Sequence, residues 1–419
     1  KNLTKLLAQN PLPGDFGRTL EQVPQVARDL KPHQQFMAQA LTEVSDFASA
    51  EDLSGQVRPQ HRFKDGVVPE HLCDMGVELK AGFGRITDLL QRLVDQLKDA
   101  MDGEAVGVTS HQAEEWYPLF GALLARSEGN WTLWTQFCLV DPPEKPPTAR
   151  WLTLTEQNDI EVHVSPILAA DTLRQFLWHS AFGCLVTSAT LTALGRFDRF
   201  SQRAGLPRGA VCTMAPSPFR YAEKGVLRIP DLGADPRDSA GHSAAIIQHL
   251  PGILEEALGS LVLFSSRRQM LEVYAGLGSA FRERILVQGD LSKQELIRQH
   301  RSRVDEQQKS VIFGLASFAE GVDLPGRYCE HVVIAKIPFA VPDDPVEAAL
   351  SEWIERNGGN PFMEIAVPDA CLRLIQACGR LLRNEQDSGT VTLLDRRLVT
   401  QRYGKAILNA LPPFRREID

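Results

Sequence analysis

Seven cysteines are present, Cys73, Cys138, Cys184, Cys212, Cys329, Cys371 and Cys378, yet none forms a Cys-x-x-Cys pair and their number is odd. That pattern indicates neither a disulfide framework nor a zinc or iron–sulfur centre within the chain, and a reducing cytosol is the simplest setting. Long apolar runs are missing as well. Residues 259–264 and 332–335 are strand-sized, far below the roughly 20 residues a membrane span needs. No basic segment leads into an apolar stretch, so no secretory signal is read, although the chain begins at Lys1 and not at a methionine. Positive charge is not in excess either. The formal net charge is −8 and the acidic surplus is greatest before residue 150. A generally basic face is excluded, and any path for a polyanion must be a local groove. His163 and His179 have no partners at metal-ligand spacing and read as structural.

What remains is an ordinary globular composition, 43% hydrophobic and 23% charged over 419 residues, long enough for two or three domains. Residues 1–140 read as mostly helical. In residues 84–98, Ile86, Leu89, Leu90, Leu93 and Leu97 follow the spacing of one helix face. Turn-rich residues 10–17 and 54–68 interrupt the pattern, and the proline cluster at 141–147 is a natural boundary. Beyond it, 151–155 and 160–164 alternate with period two and read as a strand pair. A helix over 168–181 follows, then a short strand at 184–186. From about 215 the chain alternates. Strands are expected at 261–264, 285–288, 310–314, 331–336 and 391–394, with helices at 267–281, 292–304, 345–356, 369–383 and 404–410. Ser292 and Glu295 form a capping box. Such alternation predicts an α/β fold with a parallel sheet covered on both faces, its ligands at the carboxyl ends of the strands.

The segment richest in chemistry is Gln376-Ala-Cys-Gly-Arg-Leu-Leu-Arg383. In a continuous helix Gln376, Gly379, Arg380 and Arg383 share one face. Two guanidinium groups beside a flat glycine suit a triphosphate, since their forks bind phosphate oxygens. Close approach of a backbone or ligand would explain Gly379, and a solvated basic face is the plainer reading. Ser317-Phe-Ala-Glu-Gly-Val-Asp323 follows the strand at 310–314. Its Gly321 allows close backbone approach, while Glu320 and Asp323 supply carboxylates. At the end of the 184–186 strand, Ser188 and Thr190 offer small hydroxyls that relay hydrogen bonds.

These segments resemble superfamily 2 helicase motifs in the wording of the DinG/XPD group. Gln376-x-x-Gly-Arg-x-x-Arg383 is similar to motif VI, Phe318-Ala-Glu-Gly-Val-Asp323 to motif V, and Thr187-Ser-Ala-Thr-Leu191 to motif III. Leu261-Val-Leu-Phe-Ser-Ser-Arg267 is similar to motif IV, with Val287-Gln-Gly289 the short strand after it. The resemblance runs in order over residues 150–412, and Ser217-Pro-Phe219, Lys336-Ile-Pro-Phe339, Asp395-Arg-Arg-Leu398 and Tyr403-Gly-Lys405 add to it. It implies a RecA-like motor that hydrolyses ATP with Mg2+ and moves 5′ to 3′ on single-stranded DNA in replication or repair. Arg380 and Arg383 would complete an ATP site, Gln376 would sense the nucleotide, and Asp323 and Glu320 would couple it to DNA. Gly379, Gly321, Ser188 and Thr190 would line or couple the nucleotide site. Ser265, Ser266, Gln288, Gly289, Ser317 and Phe318 would meet DNA. The implied domains are a mainly helical arch-like insertion at 1–145, the end of a first motor domain at 146–213, and the second motor domain at 214–419. Protein partners through the arch and a cytoplasmic, nucleoid-associated setting follow from the same likeness; a membrane does not.

The departures carry their own expectation. No Gly-x-x-x-x-Gly-Lys-[Ser/Thr] phosphate loop and no strand ending in Asp-Glu-x-His occur. In the family these lie upstream of the arch, as do the cysteines of a 4Fe-4S cluster. The chain is therefore expected to be the carboxyl-terminal part of a longer protein, inactive as an ATPase alone. A non-catalytic helicase-like module that holds DNA or protein is the alternative, and a nuclease would need metal-binding carboxylates from elsewhere. Trp116, Tyr117, Trp131, Trp134, Phe176, Trp178 and Phe318 are the aromatic candidates for base stacking. Phe318 stands out for its place in the motif V loop, while the others read more simply as packed aromatics.

Overall fold

The computed structural model describes residues 14–51, 57–103, 108–188, 190–315, 318, 321–340 and 344–419. The chain divides into two compact units. The first holds the residues up to Ile167 and takes in a later helix through Trp353.

Three long helices dominate this first unit: α1 (Gly14–Val44), α2 (Glu70–Met101) and α3 (Ser110–Phe137). The apolar stripe foreseen on residues 84–98 is the buried face of α2, with Leu89, Leu90, Leu93 and Leu97 packed against Phe16, Leu20 and Phe120. Thr109 caps α3, its side chain accepting from the amide of Gln112 while the Gln112 side chain accepts the amide of Thr109. Four strands complete the unit as an antiparallel sheet: β1 (Ala48–Glu51), β2 (Val57–Arg62), β3 (Thr148–Leu154) and β4 (Ile160–Pro166). β3 and β4 are the expected strand pair, with Trp151 opposite His163. Their sheet continues through β2, so they lie in the same compact unit as the helices. Arg150, 1% exposed, ties the sheet to the end of α3 by donating to Asp141 at 2.7 Å and to the carbonyls of Gln136 and Leu139.

The second unit is a seven-stranded sheet in the order β11-β5-β10-β9-β6-β8-β7, every neighbouring pair parallel. Its strands are β5 (Gly225–Ile229), β6 (Gly259–Phe264), β7 (Ile285–Val287), β8 (Ser310–Leu315), β9 (His331–Ile334), β10 (Gly389–Leu393) and β11 (Arg415–Ile418). Its longer helices are α4 (Asp198–Ala204), α5 (Ser239–Ile253), α6 (Arg267–Gly276), α7 (Lys293–Asp305), α8 (Pro345–Arg356), α9 (Val367–Cys378) and α10 (Arg402–Ala410); α8 belongs to the first unit as far as Trp353. Two apolar clusters cover the two sheet faces, one around Leu261, Ile312 and Val332, the other around Val262, Phe313 and Val333. Alternate residues of fully buried strands feed opposite faces, which is why these strands read as continuous apolar runs. The α/β parallel architecture is the one expected.

Several details differ from expectation. β5, β11 and α5 were not foreseen; β11 has a polar sequence and lies at the sheet's edge, where alternation is weak. Residues 184–186 form no strand, and Leu185 is 90% exposed. A strand needs partners for its amides and carbonyls, and among the described residues none lies beside this segment. Ser292 does cap α7 by accepting from the amide of Glu295, but the Glu295 carboxylate pairs with Arg298, so the box is half made.

Candidate nucleotide and nucleic-acid site

The expected helix over 369–383 ends early, at Cys378. Gly379 donates its amide to the carbonyl of Ile375 at 2.9 Å and Arg380 donates to that of Ala377 at 3.1 Å, which closes the last turn. Gly379 has a φ of −66°, open to any residue, and a Cβ there would first meet the carbonyl of Ile375 at 3.3 Å. Among the described residues only the backbone of its own helix lies that close to it. Arg380 and Arg383 thus leave the helix and do not share its face.

They converge in another way. Arg380 Nη1 donates to the carbonyl of Val322 at 3.1 Å and Arg383 Nη2 donates to the same oxygen at 2.6 Å. Arg383 Nε also lies 3.7 Å from Asp323 Oδ1. Val322 and Asp323 belong to the turn that follows β8 and opens with Gly321, whose φ of +68° is a conformation that favours glycine. Arg301 of α7 holds that turn from the other side, donating to the carbonyl of Asp323 at 2.7 Å. The Asp323 side chain is 71% exposed. One helix turn back, Gln376 Nε2 donates to Thr190 Oγ1 at 3.5 Å, and Thr190 is joined to Ser188, whose Oγ accepts its amide at 3.3 Å. The structure therefore brings together Gln376, Thr190 and Ser188, and separately Arg380, Arg383 and Asp323. Ser317 and Glu320 lie outside the described residues.

A second feature opens at the ends of β7 and β8. Gln288, Gly289, Leu291, Lys293, Leu296 and Phe318 line a cleft of about 330 Å³. Gln288 is fixed to β8 twice: its amide donates to the carbonyl of Phe313 and its side-chain oxygen accepts from the amide of Leu315 at 2.8 Å. Gly289 sits at φ +103°, and a Cβ built there would lie 3.2 Å from the guanidinium of Arg267. Ser265 is exposed at the end of β6, and Ser266 caps α6 by accepting from Gln269. Lys293 brings a cation into this cleft, its Nζ 5.1 Å from the centre of the Phe318 ring. Lys293 and Arg301 were not singled out in the sequence, because nothing in the spacing of α7 distinguishes them from its other basic residues.

Phe318 needs correction. It is 4% exposed and belongs to the core, with its ring against Gly314. It lines the cleft with Lys293 over its ring, and no open face is offered to a base. Among the other aromatic candidates, Trp134 is buried, Trp178 donates its indole N–H to Ala204, and Trp116 stacks on Phe16, whereas Tyr117, Trp131 and Phe176 are exposed. His163 stacks on Trp151 and bonds Thr153. Burial pushes the thiols of Cys329 and Cys378 up to about 12, which keeps both protonated at neutral pH. Among the described residues, no group of three His, Cys, Asp or Glu could hold a metal ion. No helix there is long and apolar enough to cross a membrane.

A seven-stranded parallel sheet with helices between its strands has the RecA-like α/β fold. A solved XPD helicase has this fold: it aligns with 96% of this chain and 64% of its own at a TM-score of 0.50 and 15% identity. Residues 253–414 match the helicase C-terminal domain family. The ATP-dependent DNA helicase DinG of Photobacterium profundum is 37% identical over 373 residues, which is 86% of this chain and 52% of that protein. The protein of the same name from Escherichia coli (strain K12) is 33% identical over 367 residues, 85% of this chain and 50% of that one. The chain is homologous to the ATP-dependent DNA helicases named DinG, and its residues 253–414 match the helicase C-terminal domain family. It spans about half the length of the curated relatives it matches.

Proposed function

We propose that this chain supplies the second half of the ATP site, and part of the DNA path, of an ATP-dependent helicase that moves 5′ to 3′ on single-stranded DNA. The observation that carries the reading is the convergence of Arg380 and Arg383 on the carbonyl of Val322. Two guanidinium groups held at one point are pre-placed donors, and such donors stabilise charge that develops on a departing phosphoryl group. The turn they grip continues into Asp323, so a change at the arginines is passed directly to the segment that follows β8. Gln376, bonded to Thr190, would report the nucleotide to the 187–191 segment. The cleft of Gln288, Gly289 and Lys293 offers amide and ammonium donors to a phosphate backbone, in keeping with a local groove on an acidic protein.

ATP is the substrate in this reading. Among the described residues no group of three His, Cys, Asp or Glu could hold a metal ion or cluster by itself. The phosphate loop and the magnesium carboxylates would come from the rest of the protein, as would any 4Fe-4S cluster. The mainly helical residues 1–145, read as an arch, would offer a surface to protein partners, and the work would be done in the cytoplasm at the nucleoid. The test is ATP hydrolysis by the whole protein, with and without single-stranded DNA, against hydrolysis by residues 1–419 alone. DNA-stimulated turnover by the whole protein and almost none by the isolated chain is expected. Full turnover by the isolated chain, or DNA binding without any turnover by the whole protein, would overturn the reading; the second outcome is that of a non-catalytic module.

A further inference from the structure

Asp387 lies in the turn between Arg383 and β10, and phosphate chemistry alone would not select it. Its carboxylate is buried, 5% exposed, and each of its oxygens faces backbone amides. Oδ2 accepts from Arg383 at 2.7 Å and from Asn384 at 3.0 Å. Oδ1 accepts from the amide of Gly326 at 3.0 Å, 61 residues away in sequence. Gly326, at φ +59°, closes the turn that carries Val322 and Asp323. The bonds to 383 and 384 are what any aspartate in a tight turn makes. The bond to Gly326 is not needed by that turn.

One carboxylate therefore holds the far end of the loop that the two arginines grip, and also the backbone of one of those arginines. We infer that Asp387 is a positioning residue for hydrolysis, fixing the separation between the 322–326 turn and Arg383. The inference rests on the proposed role of Arg380 and Arg383. Three amides share two anionic oxygens, and a buried bond of this charge-assisted kind is stronger than a neutral one. An asparagine keeps the size but replaces one acceptor oxygen with a donor, so it must abandon either Gly326 or the pair at 383 and 384.

The experiment is a kinetic cycle in the whole protein, reading DNA-stimulated ATP hydrolysis for wild type, Asp387→Asn, Arg383→Ala and the double variant. Asp387→Asn is expected to lower kcat by about tenfold to hundredfold and leave KM for ATP within about twofold. In the Arg383→Ala background it should cost nothing further, because its effect passes through that arginine. Asn384→Ala removes the side-chain oxygen that accepts the amides of Gln386 and Asp387 but keeps all three amide donors to the carboxylate, so kcat should stay near wild type. An additive loss in the double variant, a loss in Asn384→Ala as large as in Asp387→Asn, or a lower melting temperature with unchanged kcat would each reduce Asp387 to a turn residue. If Asp387→Asn does not fold, Asp387→Glu takes its place in the cycle: it keeps both acceptor oxygens but shifts them by one methylene, so kcat should fall with KM held, and an unchanged kcat would reduce Asp387 to a turn residue. A wild-type protein with no turnover would remove the reading of the arginines themselves, an outcome distinct from the other three.

Discussion

Gln376 of α9 meets Thr190 across 186 positions of sequence, Nε2 to Oγ1, at 3.5 Å. That is the long end of a hydrogen bond, and tightening or release of this contact is a small, reversible change. Thr190→Val keeps the shape and removes the acceptor. Because a neutral bond contributes about 1 kcal/mol, a loss of roughly fivefold in kcat/KM for ATP is expected. Steady-state kinetics of the whole protein check it; an unchanged value would mean the two side chains only pack.

Arg380→Ala should abolish hydrolysis while leaving nucleotide binding almost intact. Arginine fingers contribute about 10³-fold or more to turnover. Single-turnover hydrolysis paired with equilibrium binding of labelled ATP separates the two effects. Weak binding with normal turnover of the bound fraction would argue that Arg380 serves the ground state.

Phe318 and Lys293 should part company under mutation. Phe318→Ala removes a core side chain and is expected to destabilise the fold by about 3 kcal/mol or more, seen as a lower urea midpoint. Lys293→Ala leaves the core alone. If Lys293 meets a phosphate, the slope of log affinity for single-stranded DNA against log salt should become shallower by about 0.7. Equal slopes for the variant and wild type would take Lys293 out of the DNA path.

Arg199 and Asp369 form a buried ion pair, Nε to Oδ1 at 3.2 Å and Nη2 to Oδ2 at 3.0 Å, which ties α4 to the start of α9. Removing one partner leaves a buried charge, so Asp369→Ala should cost about 3–5 kcal/mol. The double change to Met at 199 and Leu at 369 should recover most of that loss in chemical denaturation. A double variant as unstable as the single one would show that the pair is needed for its geometry and not merely for its balance of charge.

Acid should weaken the second unit before its carboxylates protonate. Burial lowers both His300 and His331 to about 4, in His300 against the opposing effect of its bond to the Tyr328 carbonyl. Both values lie below the ordinary one of 6.5, so the unfolded chain takes up protons first as pH falls. The stability these groups contribute is complete above about 6.5 and is lost on the way down to about 4, by roughly 3 kcal/mol for each histidine. Urea midpoints at pH 7 and pH 5 should differ less in His331→Gln than in wild type. An equal difference would exclude His331 as a source of the acid sensitivity.

The sequence was most legible where burial is two-sided. β6, β8 and β9 are continuous apolar runs because both of their faces are covered, and α2 carries its stripe because only one of its faces is. The arginines, glutamine and aspartate of the site were legible as residue types in ordered motifs at strand ends. Their arrangement was not. Helical spacing placed Arg380 and Arg383 on a common face with Gln376, but the helix stops at Cys378, and what unites the two arginines is the carbonyl of Val322. Residue type does not say how far a side chain is buried, so Phe318 read as a stacking platform and proved to be core.

By itself, then, the sequence determined the α/β class, the motif order and the chemical groups available, because these depend on periodicity and composition along the chain. Tertiary structure decided which groups meet. Gln376 with Thr190, Asp387 with Gly326 and Arg301 with Asp323 are brought together across 186, 61 and 22 positions of sequence. No local spacing encodes such contacts. They exist because neighbouring strands of the parallel sheet come from distant parts of the chain, so the segments that lead into and out of them become neighbours in space.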